Sequence, residues 1–140
     1  MRALEPLPGL RVVAAPEALD GARWVPGDAV VLRFAPDDAF AIGARIVEIG
    51  DADAIVEPEP GFVGAWLTAD ELLHDVVPRI EWSLPTERPA LAQGNVAGVP
   101  AKLWLTRGQD SDDAEGSYGT DQVLLVVLAA YADDLAGRLR

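Results

Sequence analysis

From residue 28 the chain reads DAVVLRFAPDDAFAIG, with an apolar, β-branched run, a Pro-Asp-Asp corner and a second apolar run closing on glycine. This pattern predicts a hairpin: strands over residues 28–34 and 39–43, with Pro36, Asp37 and Asp38 as turn residues and not as a site. Short strands follow over residues 45–49 and 54–57, and EPEP (57–60) reads as a rigid extended connector with solvated carboxylates. GFVGAWL (61–67) is a further strand, with Phe62, Gly64 and Trp66 on one face. Thr68-Ala69-Asp70-Glu71 then forms a capping box. It opens a helix over residues 69–77 whose Leu72, Leu73 and Val76 turn inward, ending before Pro78.

Residues 79–94, broken by prolines, read as irregular. Strands are expected over 96–99 and over 101–106, where Ala101, Leu103 and Leu105 alternate with Lys102, Trp104 and Thr106. Residues 107–121, glycine-rich and acidic, are expected to be a loop. Residues 122–127 form a buried strand, and residues 129–138 a helix with Tyr131, Leu135 and Leu139 at four-residue spacing. Together these predict an α+β fold: an antiparallel or mixed sheet with two main helices, 69–77 and 129–138, packed on one face. Residues 1–27, rich in Pro and Gly, are expected to be an irregular N-terminal segment with one short strand at 10–14. Residues 28–140 are expected to be a single domain.

Charge and composition narrow the function. The 140 residues carry 23 acidic against 11 basic side chains, a formal net charge of −12, which repels a phosphate backbone and disfavours nucleic acid. There is no cysteine, so disulfides, thiolate metal sites and thiol nucleophiles are excluded. No apolar run reaches the roughly 20 residues that a membrane helix needs, and the N-terminal residues lack a signal-peptide core. The chain is therefore expected in the cytoplasm, away from membranes.

Catalytic signals are few. Asp51-x-Asp53 has the opening spacing of a calcium loop but lacks its central glycine and distal glutamate. His74, the one histidine, has no companion for a metal and reads as a helix-face residue. Ser83 with His74 and an arbitrary aspartate makes no triad, and GNVAG (94–98) has no lysine for a phosphate loop. No catalytic residue, metal ligand or cofactor is assigned. Trp82 and Trp104 are the candidate interface residues, because indole gives large contact area with a polar handle.

The segments LRFAPDDAFAIG (32–43), GFVGAWLTADELLHDVV (61–77), GVPAKLWL (98–105) and VLLVVLAAYADDLAGRL (123–139) follow one another in order. They resemble the gamma subunit of heterotetrameric sarcosine oxidase, a relative of the glycine-cleavage T-protein and other folate-binding domains. Residues 78–82 and the acidic loop depart from the pattern. The resemblance implies a non-catalytic accessory subunit bound to flavoenzyme subunits that carry the cofactors. Two other functions remain open from the residues. One is an acidic protein-binding module, such as an immunity-type inhibitor or a chaperone, acting on a basic partner. The other is a small enzyme or folate binder acting alone.

Overall fold

The computed structural model describes residues 3–106 and 122–139, so the acidic loop expected at 107–121 lies outside the described residues. In chain order the elements are β1 (Glu5–Pro6), β2 (Gly9–Val13), α1 (Pro16–Asp20), β3 (Arg23–Val25), β4 (Val30–Ala35), β5 (Asp38–Ile42), β6 (Ile46–Glu48) and β7 (Ile55–Glu59). After these come β8 (Phe62–Thr68), α2 (Ala69–Glu71), β9 (Ala90–Val96), β10 (Val99–Leu105), β11 (Gln122–Leu128) and α3 (Ala132–Arg138). The helix expected over 69–77 is present as α2 continued by a π-turn (Leu72–Val76) and a 3-10 turn (Val77–Arg79). A 3-10 turn (Ala129–Tyr131) leads into α3. The class is α+β. Among the described residues no helix is long and apolar enough to cross a membrane.

The chain divides into two compact units, Leu7–Phe62 and Met1–Pro6 with Val63–Arg140. This differs from the expected division at residue 28. The N-terminal stretch expected to be irregular supplies β2, α1 and β3. Pro16 stands in the first turn of α1, where its missing N–H has no intrahelical partner to lose.

In the Leu7–Phe62 unit the sheet order is β4-β5-β2-β7, beside a two-stranded β3-β6 ribbon. The β4-β5 hairpin forms at the expected corner, with a bulge between Arg33 and Ala35. β2 pairs antiparallel with both β5 and β7, a pairing across distant segments that no local pattern encodes. Residues 57–59, expected as a solvated connector, are thus part of a paired strand. Leu10 and Val12 alternate inward and pack with Leu19, Ala39 and Ala41. Trp24, Val47 and Ile49 are partly buried against this core.

In the second unit the order is β1-β8-β11-β10-β9. Leu103 and Leu105 pair with Leu125 and Val123, on the face that packs with Leu72, Val76, Leu135 and Leu139 of the helical segments. Burying such side chains yields about 25 cal/mol per Å² of apolar area, enough to hold weakly helical turns on the sheet. The capping box is complete: Thr68 Oγ1 accepts from the Glu71 amide at 3.1 Å, and a Glu71 carboxylate oxygen accepts from the Thr68 amide at 3.0 Å. The segment expected as irregular to residue 94 becomes strand at Ala90. The strand expected at 96–99 is instead the tip of the β9-β10 hairpin, with Val96 opposite Val99.

At that tip Ala97 has φ 51° and Gly98 φ 81°, the pair of positive values that a two-residue type I′ turn requires. Alanine carries a Cβ penalty there that glycine does not. Ala97→Gly is therefore expected to stabilise the protein by about 0.5–1 kcal/mol, read as a higher urea midpoint at unchanged slope.

Candidate functional site

Two polar constellations are built by these elements, one in each unit. The first centres on Arg11 in β2. Leu10 and Val12 point to the core, so Arg11 stands on the opposite face of the sheet, level with Phe40 of β5 and Glu57 of β7. Its guanidinium grips Asp38 with two parallel bonds, Nε to Oδ1 at 2.6 Å and Nη2 to Oδ2 at 2.7 Å, and donates from Nη1 to Glu59 at 3.1 Å. It also lies 4.8 Å from the centroid of the Phe34 ring. Phe34 packs edge-on against Phe62 at 5.5 Å between centroids, and Phe62 lies 4.9 Å from Phe40. The bonds to Asp38, against the cost of partial burial, raise the Arg11 pKa above its ordinary value. Asp38 opens β5 at the hairpin corner first read as turn alone, so the corner is both a turn and one anchor of this cluster. Arg33 ties the same corner to α1: its Nη2 donates to the Pro36 carbonyl at 2.7 Å and its Nη1 to Asp20 at 2.9 Å.

Nearby in sequence, Asp51 does not open a calcium loop. Its carboxylate accepts from the amides of Ala15, the N-cap of α1, and Asp53, each at 2.9 Å. Those two bonds, that from Ala15 the stronger influence, hold its pKa below the ordinary 3.8. Among the described residues no group of three or more His, Asp or Glu side chains converges as metal ligands would.

The second constellation is built around Trp82. Its Nε1 donates to the Asn95 carbonyl at 2.8 Å, and its ring lies against Gly94 of the edge strand β9. Beside it the Ala97 amide donates to the Arg79 carbonyl at 2.8 Å. Arg79 donates from Nε to the Arg138 carbonyl and from Nη1 to the Asp75 carbonyl, while Arg138 reaches the Ala97 carbonyl. These groups frame a recess of about 380 Å³ lined by Arg79, Glu81, Trp82, Asn95, Ala97 and Gly98.

Of the two sequence-predicted interface residues, Trp82 is half-buried and anchors its own segment to β9. Trp104 is also half-buried, on the sheet face away from the helices, with Leu91 and Leu124 as cross-strand neighbours. The structure places the two on different elements and does not bring them into one patch through any bond. His74 and Ser83 are both exposed. Arg11, Arg79 and Arg138 were not singled out by sequence. Arg11 carries the one faint signal, a charged residue in an otherwise apolar strand, but its partners lie 27 and 48 residues away. Compared with known proteins, the chain matches no family model, no curated protein and no solved structure.

A Cβ at residue 94 would fall 2.6 Å from Trp82 Cε2. Gly94→Ala is thus expected to cost about 1–3 kcal/mol, most of it relieved in a Trp82→Leu background, and a double-mutant cycle in urea measures the coupling. For Asp51, a folded pKa below 3.8 means that its stabilising contribution is present above that value and is lost as pH falls through the lower folded one. Urea midpoints between about pH 2 and 5 should show this acid-side loss reduced in Asp51→Asn.

Proposed function

We propose that the chain is a non-catalytic binding subunit that docks to a larger protein, the accessory role implied by its resemblance to the sarcosine oxidase gamma subunit. The observation that carries this reading is a pairing of exposed apolar side chains in the Leu7–Phe62 unit. Val25 (39% exposed) stands opposite Ile46 (58%) on the β3-β6 ribbon, and Val13 (39%) opposite Ile55 (56%) at the β7 edge. Singly exposed apolar residues are ordinary, whereas cross-strand pairs present contiguous apolar area of the kind that subunit contacts bury. The reading sets the chain in the cytoplasm beside a flavoenzyme partner, without nucleic acid, membrane or a cofactor of its own. Trp104, half-buried on its sheet face, is a further contact candidate.

The net charge of −12 favours a second reading, an acidic module held by a basic partner. Salt separates the two, because at about 1 M the screening length shrinks to ~3 Å and a charge-steered complex weakens far more than an apolar one. The tagged chain, retained on a column from extract of its native organism, should keep a flavin-absorbing partner through such a wash. The doubly substituted Ile46→Glu, Ile55→Glu chain should lose that partner by about tenfold or more while its own melting temperature stays within about 2 °C. A partner released by salt and indifferent to the substitutions would overturn the subunit reading in favour of the acidic module.

A further inference from the structure

We propose that the groove on either side of Trp82 is a binding site for a small organic acid, with its carboxylate at Arg79 and Arg138 and its apolar body beyond the indole. The inference is independent of the docking surface above and concerns only the second unit. Two adjoining recesses share Glu81 and Trp82 as their common wall. One, of about 380 Å³, is polar and includes Arg79, Asn95 and Gly98. The other, of about 440 Å³, is lined by Val77, Ile80 and Leu84. Small-molecule sites combine these two kinds of wall: apolar area for affinity and a few convergent polar groups for orientation.

The charge of the polar recess selects the ligand. Arg11, Arg23 and Arg33 each meet a carboxylate within ion-pair distance. Among the described residues Arg79 and Arg138 bond only to backbone carbonyls, and no carboxylate lies within that distance of either. In a chain with 23 acidic side chains, two arginines without a carboxylate partner among the described residues, one lining the recess and the other bonded to the Ala97 carbonyl of its wall, depart locally from the overall charge. Arg79 commits Nε and Nη1 to carbonyls, which fixes the plane of the guanidinium, and Nη2 has no acceptor among the described residues. Arg138 is held by its bond to Ala97, with Nη1 3.0 Å from where a Cβ on Gly98 would stand. Guanidiniums held in this way favour a planar, two-oxygen acceptor, which a carboxylate supplies. Glu81 is exposed on the shared wall and is the one opposing charge among the lining residues.

Octanoate, below its micellar concentration, is the probe. Titrated into the full ¹⁵N-labelled chain, it should shift the Trp82 indole N–H and the Gly94 and Gly98 amides saturably, with a Kd of about 1 mM or below. The Trp82 signal is assigned by its disappearance in Trp82→Phe. Acetate, which lacks the apolar body, should bind at least about tenfold more weakly, and octylamine, of opposite charge, should leave these signals in place. Arg79→Gln and Arg138→Gln should each weaken octanoate by about tenfold, and Glu81→Gln should tighten it by about twofold. If Arg79→Gln loses the dispersed spectrum of a folded chain, Arg138→Gln and Glu81→Gln, whose side chains are exposed, carry the test. No saturable shift, equal binding of octylamine, or octanoate affinity unchanged in the folded arginine variants would overturn the proposal.

Discussion

One side chain holds the small sheet together. Arg11 sits on β2, an inner strand, and reaches each of the other three strands: Asp38 on β5, Glu59 on β7 and the Phe34 ring on β4. A bidentate guanidinium-carboxylate pair fixes direction as well as distance, so it sets the register of β5 against β2 in a way that apolar packing alone does not. Its surroundings make it matter. The Arg11 side chain is about one-third exposed (32%), so the pair is neither fully screened nor fully desolvated. The Phe34 ring lies over one side of it, itself packed against Phe40 and Phe62.

The same economy runs through the other polar groups that first suggest chemistry. Asp51 serves the α1 amide of Ala15, Arg33 ties the hairpin corner to α1, and Thr68 and Glu71 close the start of α2 upon each other. Trp82 pins a proline-rich crossing segment to the edge of the larger sheet. Backbone groups at short helices and irregular crossings must find partners somewhere, and here acidic and aromatic side chains supply them. Groups used in this way are structural. The two surfaces proposed above for binding are the exposed apolar pairs on β3 with β6 and β2 with β7, and the recess beside Trp82.

Much of this was legible in the sequence where the signal is local. The Thr-x-x-Glu box, the apolar runs around Pro36-Asp37 and the alternation of Ala101, Leu103 and Leu105 each depend on neighbours within a few residues. Strand pairing between remote segments was not legible. Nothing near Leu10 shows that it will lie between β5 and β7, so the first 27 residues read as irregular. Short elements failed for a related reason: α1 and β3 are too brief to show a period, and tertiary packing makes them. The candidate site was the least legible part. Arg79, Asn95 and Gly98 come from a helical end, a strand and a turn, and only the crossing of the Trp82 segment brings them together.

The Arg11, Asp38 and Glu59 cluster is on this account part of the fold and not a site. Arg11→Met tests it most directly, because methionine keeps the length of the side chain and removes the charge. If the cluster is structural, urea denaturation should show the variant destabilised by about 2 kcal/mol, short of the 3–5 expected for a fully buried pair. Residues retained for function at the expense of stability behave in the opposite way, since replacing them leaves stability unchanged or raises it. A variant as stable as the parent, or more so, would contradict the account and mark Arg11, Asp38 and Glu59 as a site.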